Sequence, residues 1–286
     1  MPGVQIKEVE VRGVLAKSDL PCDMVANPYV GCAHRCRYCY AAYMKKYTNH
    51  GEPWGEFVDV KRWPEPTGLH KLAGKEVMLS SVTDAYQPAE AEYGRTRALL
   101  EQLRGCGCRL RILTKSDLVL RDLELIRSFP EAQVAWSINT LDEGFREDMD
   151  RAASIGRRLA AMQEFYAAGV RTACFVAPMF PGITDAKAII RRVRKQCHEV
   201  WLDKLNLRGE YQRSILAYVR RNFPRLTPLY DALYRRGDNT YWREQDAELR
   251  AFAAAEGLPY LHDKAAAPAT MGDGPTIVCY FGRKGR

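Results

Sequence analysis

Residues 27–41 read NPYVGCAHRCRYCYA, and this stretch decides the reading of the whole chain. Within it Cys32, Cys36 and Cys39 stand in the spacing C-x3-C-x2-C. Thiolates are the soft ligands that iron–sulfur clusters require. Three of them leave one iron of a four-iron cubane without a protein ligand, an open position where a small molecule can bind and react. A zinc site is the competing reading. It normally takes four ligands, and His34 is nominally available as the fourth. His34 lies between two of the cysteines, however, which is a poor spacing for a tetrahedral site. We therefore read the loop as the seat of a 4Fe–4S cluster.

The rest of the composition agrees with an intracellular metalloprotein. The chain has 286 residues, 47% of them apolar, enough for a substantial core. It contains no apolar run of about 18 residues, so no membrane partner is expected. The opening MPGVQIKEVEVRG lacks the apolar segment of a secretory signal. A cytoplasmic location is expected, where thiols stay reduced. Nine cysteines there point to metal or redox chemistry and not to a disulfide framework. The net charge of +8 favours an anionic partner such as nucleic acid.

Outward from the loop, the pattern is one of alternation. An extended lead-in precedes it, with a strand near Met24–Val30. A short helical stretch, Ala41–Tyr47, follows, and residues 49–75, rich in Pro, Gly and Trp, read as a long surface excursion. Strands are then expected over Val77–Val82, Arg109–Thr114, Gln133–Ile138, Val170–Ala177 and Glu199–Leu205. Helices are expected between them over Tyr93–Leu103, Asp117–Ser128, Arg157–Ala168 and Ala186–Lys195, with apolar residues such as Leu159, Met162 and Phe165 on one face. Strand and helix alternating with short links predict parallel βαβ units, six of them, in an open partial barrel. From about residue 208 the pattern is mostly helical, ending in a short apolar run, Thr276–Phe281, and a basic tail. The expected organisation is thus a core over 1–207 and a helical extension over 208–286.

C-x3-C-x-aromatic-C after a first strand and before a βα barrel resembles the radical S-adenosylmethionine (SAM) superfamily. The blocks NPYVGCAHRCRYCYA, SSVTDAYQPAE, LTKSDLVLRDL, SINTLDE and VAPMFPGITD, in that order, resemble its spore photoproduct lyase-like branch, often labelled DNA repair photolyase-like. The resemblance implies a 4Fe–4S cluster on Cys32, Cys36 and Cys39 and a partial (β/α)6 barrel with a mostly helical C-terminal extension. It implies SAM as cofactor, cleaved to a 5′-deoxyadenosyl radical that abstracts hydrogen from a substrate, in lyase- or transferase-type chemistry. It also implies an external electron donor of flavodoxin or ferredoxin type. Carried over by motif, Tyr38 approaches the adenine and Tyr40 lies near SAM. Ser81, Thr83 and Asp84 stand where most of the superfamily has a Gly-Gly-Glu stretch for the methionine amine; carboxylate and hydroxyl oxygens can accept from an ammonium. Lys115 is implied for the SAM carboxylate, Ser137 as a SAM-contacting serine, and Ala177 and Pro178 as the adenine edge. All these fall at C-terminal strand ends, the face that carries the site in βα barrels.

One departure bears on the substrate. Where spore photoproduct lyases carry a cysteine as hydrogen-atom donor, this chain has Ser80, whose O–H bond is too strong for that role. Nucleic acid remains the expected substrate class, because residues 208–245 interleave arginines with Tyr211, Tyr218, Tyr230, Tyr234, Tyr241 and Trp242, a mix able to track phosphates and stack bases. A peptide or small metabolite is the alternative substrate, and a non-enzymatic metal-binding module the alternative to an enzyme.

Overall fold

The cysteine loop leaves the sheet from a three-residue strand, Met24–Ala26, and the fold is best followed from there. The computed structural model describes residues 3–262 and 274–281. In chain order its strands are β1 (Gln5–Glu10), β2 (Leu15–Lys17), β3 (Met24–Ala26), β4 (Tyr29–Val30), β5 (Phe57–Arg62), β6 (Glu76–Leu79), β7 (Arg109–Thr114), β8 (Glu131–Ser137), β9 (Arg171–Met179), β10 (Glu199–Lys204), β11 (Tyr260–Leu261) and β12 (Thr276–Cys279). The α-helices are α1 (Ala89–Tyr93), α2 (Arg95–Leu103), α3 (Leu123–Arg127), α4 (Glu143–Met149), α5 (Ile155–Ala167), α6 (Ala186–Val193), α7 (Gly209–Asn222), α8 (Thr227–Arg235) and α9 (Thr240–Ala255). By contact the chain divides into two units: residues 1–36, 41–136 and 150–172, and residues 37–40, 137–149 and 173–286.

In the first unit the strand order is β2-β3-β6-β7-β8, parallel except for the antiparallel edge strand β2. Met24 stands opposite Val77, Glu76 opposite Arg109, and Arg109 opposite Glu131. In β7 the alternation of RLRILT buries Leu110, Ile112 and Thr114 and leaves Arg109 exposed. Helix α5 starts at Ser154, whose side chain accepts from the Arg157 amide. Its buried face is Ile155, Leu159, Met162 and Phe165, spaced three or four apart, and burying each side chain contributes roughly 1.5–3 kcal/mol. Phe165 meets the edge of Trp136, whose indole Nε1 donates to the Ser116 carbonyl at 3.1 Å.

Three expectations change here. Residues 49–75 are not merely a surface excursion. Phe57–Arg62 forms β5, the centre of a second sheet ordered β1-β5-β4, with Phe57, Val58 and Val60 fully buried beside Tyr29. The Pro- and Gly-rich flanks hid a strand of only six residues. The helix expected over Tyr93–Leu103 is broken at Gly94, which adopts φ +58° and closes α1 by donating to the Glu90 carbonyl. The helix expected over Asp117–Ser128 begins as a 3-10 turn, Leu118–Asp122, before α3. There buried Asp122 accepts from Arg97, Arg121 and the Tyr86 hydroxyl.

In the second unit β9, β10, β12 and β11 follow one another in parallel, with Ala173 opposite Glu199, Glu199 opposite Thr276, and Tyr260 opposite Ile277. Helix α6 is capped by Asp185, which accepts from the Ala188 amide at 2.9 Å. Phe145 of α4 packs edge-on against Phe180, Tyr218 and Phe223 at 5.1–6.3 Å.

Candidate functional site

In the first unit the start of the cysteine loop is held by polar side chains at strand ends. Gly31, just before Cys32, adopts φ +82°, and a Cβ there would meet the Phe57 carbonyl oxygen at 2.2 Å. No other residue fits that entry to the loop. The Thr83 hydroxyl donates to the Gly31 carbonyl at 2.6 Å. Gln87, fully buried, accepts from the Ala33 amide at 2.8 Å and donates to the Gly31 carbonyl and to Thr83, each at 3.1 Å. Asn27 ties the end of β3 to the end of β6: its amide donates to Ser81 at 2.9 Å, and its carbonyl accepts from the Val82 amide at 3.1 Å.

Asp84 is the hub. One carboxylate oxygen accepts from the Tyr86 amide at 2.9 Å and the Thr114 hydroxyl at 2.8 Å. The other accepts from the Lys115 amide at 2.8 Å and faces His34 Nε2 at 3.1 Å. Burial alone raises the pKa of this carboxyl. The His34 ring and the amides of Lys115 and Tyr86 reverse that and hold it at about 2. Four partners fill the carboxylate's acceptor positions. The oxygen chemistry expected to meet the methionine amine is thus engaged in joining the loop, through His34, to the ends of β6 and β7.

His34 is 3% exposed and committed to Asp84 through Nε2, and its backbone carbonyl accepts from the Arg151 amide at 2.7 Å. That arrangement gives the residue between Cys32 and Cys36 a tethering part. Cys32, Cys36 and Cys39 are each half-buried, and none forms a disulfide. Gly31, Thr83 and Gln87 pin the backbone that carries Cys32 and Cys36, and three partly accessible thiols spaced C-x3-C-x2-C are the soft donors that suit a cubane cluster.

Residues 37–40 belong to the second unit. There Tyr38 is buried and packs edge-on against Phe180 at 5.6 Å, while Tyr40 is 60% exposed. The Arg37 amide donates to the Met149 carbonyl at 2.9 Å, and its guanidinium lies over the Tyr218 ring. Ser137, at the end of β8, donates to the Ala177 carbonyl at 3.0 Å, and the Ala177–Pro178 peptide is cis. Ser81, Thr83, Asp84 and the Lys115 backbone are therefore gathered in one unit, and Tyr38, Tyr40, Ser137, Ala177 and Pro178 lie in the other. Sequence reading missed Asn27, His34 as a tether, Gln87 and Thr114. The signal for Gln87 lay in the block SSVTDAYQPAE, but nothing in one sequence says that this amide turns back to the loop.

The aromatic residues expected to stack bases are largely used otherwise. Tyr218, Tyr230 and Trp242 are buried, and Tyr234 donates to the Leu205 carbonyl at 2.9 Å. Arg213, Arg220, Arg221, Arg235 and Arg236 are exposed, so that segment presents cations without the rings. The tail 283–286 lies outside the described residues. Among the described residues, no helix is long and apolar enough to cross a membrane.

Comparison with known proteins agrees with this architecture. The family model for the radical SAM superfamily matches residues 26–193. An uncharacterized protein of Methanocaldococcus jannaschii is 32% identical over 224 residues, 77% of this chain and 85% of its own. One of Mycobacterium tuberculosis is 31% identical over 255 residues, 82% of this chain and 75% of its own. Among solved structures, a spore photoproduct lyase variant with bound AdoMet and dinucleoside spore photoproduct superposes with a TM-score of 0.56 at 15% identity, over 77% of this chain. The matched part is 66% of that lyase chain. The α/β partial barrel with helices after it is the fold expected from the cysteine loop. More than half of the sequence lies under one family model, and the chain belongs to the radical SAM superfamily.

Proposed function

We propose that this chain is a radical SAM enzyme whose Cys32, Cys36 and Cys39 hold a 4Fe–4S cluster and whose substrate is a nucleic acid. The observation that carries the reading is the cysteine loop fastened to strand ends by Asp84 and Gln87. When bound and reduced, the cluster supplies the electron that splits SAM into methionine and a 5′-deoxyadenosyl radical. The protein's own residues position and shield. Thr83 and Gln87 hold the backbone ahead of Cys32, so the thiolates are presented on a fixed loop. Lys115 supplies a cation for the SAM carboxylate, and its own backbone is fixed by Asp84. Tyr38, Ala177 and Pro178 offer apolar surface for the adenine, with Tyr40 and Ser137 near SAM.

Nucleic acid is favoured by the net charge of +8 and by the exposed arginines after the barrel. The similar lyase structure, which holds a dinucleoside photoproduct, supports the same class. Repair of that photoproduct by this chain is disfavoured by Ser80. Its hydroxyl accepts from the Ala85 amide at 2.6 Å and serves the turn after β6. An electron donor of flavodoxin or ferredoxin type belongs to the same reading.

The test is anaerobic reconstitution followed by incubation with SAM and dithionite, with and without single- and double-stranded DNA or RNA, read by mass spectrometry. 5′-Deoxyadenosine and a mass change in a nucleic acid are expected. Cys36→Ala should lose both the brown colour and the cleavage. A wild-type protein that takes up one zinc and no iron would return the chain to a metal-binding module. Cleavage of SAM with no affinity for any nucleic acid at low salt would move the substrate to a peptide or metabolite.

A further inference from the structure

Away from the cysteine loop, the second unit brings three different metal-ligating side chains together. β11 and β12 are parallel neighbours with Leu261 opposite Val278. One residue further along each strand, His262 follows β11 while Cys279 ends β12, so the two stand side by side at the C-terminal edge of the sheet. Helix α9 packs on β11 and contributes Asp246. His262 Nε2 lies 2.8 Å from one Asp246 oxygen, and the Tyr260 hydroxyl donates to that same oxygen at 2.7 Å. The other oxygen of Asp246 is held by Arg250 at 3.2 Å. A carboxylate oxygen of Asp246, a ring nitrogen of His262 and the sulfur of Cys279 all lie within 4.8 Å of one another.

We propose that Asp246, His262 and Cys279 bind a single divalent cation of the zinc class. The donor set is one oxygen, one nitrogen and one sulfur, which suits a borderline ion and neither a hard one such as magnesium nor a sulfur cluster. Carboxylate and thiolate together supply two negative charges against two positive ones. Bonds of about 2.0–2.3 Å in tetrahedral geometry put ligand atoms roughly 3.3–3.6 Å apart. The Asp246–His262 contact would therefore open by about half an ångström, within reach of a histidine that is half exposed. Arg250 fixes the outer oxygen of Asp246 and so aims the inner one, the part that outer partners take around metal sites. The fourth position falls to water or to the Tyr260 oxygen. On binding, the cation would take the place of the Cys279 thiol proton. An ion here would fasten α9 to the two final strands, 33 positions apart in sequence from Asp246 to Cys279, with no role in splitting SAM.

The cluster cysteines also bind zinc, so the test uses the full chain carrying Cys32→Ser, Cys36→Ser and Cys39→Ser. The metal-stripped protein is titrated anaerobically with Zn2+ against a chromophoric chelator, and separately with Co2+. One zinc per chain is expected, and Co2+ should give a thiolate charge-transfer band with tetrahedral visible absorption. Adding His262→Ala, at a half-exposed position that should leave folding unchanged, should weaken zinc by about 100-fold or more. Adding Cys279→Ser should remove the thiolate band while circular dichroism stays unchanged. Absence of zinc binding in the triple variant, or equal affinity after His262→Ala, overturns the proposal. Neither result touches the radical chemistry, whose cysteines are already absent from the protein tested.

Discussion

Neutralising Asp84 should loosen the cysteine loop in a way that depends on pH. The carboxylate receives two amides, a hydroxyl and the His34 ring, all in the first unit. Its pKa is held at about 2 against an ordinary 3.8. A folded-state pKa below the unfolded one means that the unfolded chain takes up the proton first as pH falls. The stabilisation is therefore complete above about pH 4 and is lost as pH falls through 2. Nearly two units at about 1.4 kcal/mol each give roughly 2 kcal/mol in all, with about half gone by pH 3. Asp84→Asn removes the charge and turns an NH2 toward groups that are themselves donors. It should cost about 1–3 kcal/mol or more at neutral pH, because buried donors are left facing a donor in place of an acceptor. Urea unfolding of the cluster-free protein, wild type beside Asp84→Asn, at steps from pH 7 to pH 3, checks this. The gap between them should narrow by about 1 kcal/mol on the way down. A gap that is small at pH 7, or constant to pH 3, would refute the hub.

Gln87→Ala leaves the Ala33 amide without its acceptor and opens a cavity. It should destabilise by about 2–4 kcal/mol in urea unfolding and lower the iron retained after desalting. Lys115→Ala should still assemble the cluster but bind SAM more weakly, by about 1.5–3 kcal/mol in equilibrium dialysis, since a cation is lost and not an iron ligand. Reversing Arg220, Arg221, Arg235 and Arg236 to Glu should weaken nucleic-acid binding and lower its salt slope by about 0.9 for each arginine that meets a duplex phosphate, with SAM cleavage intact. Because Tyr230 and Trp242 are buried, changing either should affect stability and not base preference.

Much of the parallel sheet could be read from the sequence because its strands are either alternating or continuously apolar between short turns. RLRILT alternates, β7 begins and ends where that alternation does, and Lys115 follows as its exit. The ends of β8 and β9 followed from their buried apolar runs instead: β8 ends at Ser137, while β9 runs two residues past Ala177 to Met179, and strand ends are where βα folds collect their chemistry. β5 was not legible, because a strand of six residues between proline-rich flanks carries too little pattern to outweigh them. The roles of Asp84 and Gln87 were hidden for a different cause. A carboxylate in a motif looks like a ligand for whatever the motif binds. Whether its lone pairs are already filled depends on an amide 31 residues away and a ring 50 residues away.

The segment 208–245 makes the same point on a larger scale. Density of arginine and tyrosine is a property of composition, whereas base stacking needs a ring face open to solvent. Helical spacing sends Tyr218 and Val219 inward with Ile215, and Arg220 and Arg221 outward, so one repeat divides the two residue types between core and surface. The exposed rings are found elsewhere: Tyr40, Tyr43 and Tyr47, on the 3-10 turn that directly follows Cys39, are each more than half exposed, with Lys46 over the Tyr47 ring. If the substrate is a nucleic acid, exposed rings such as these are the ones able to stack its bases. Tyr43→Ala with Tyr47→Ala should then lower affinity for single strands by about 1–3 kcal/mol for each ring that stacks, with little change in salt slope, while the arginine reversals should do the opposite. Equal loss of salt dependence from both sets would mean that the tyrosines act only by supporting a charged surface.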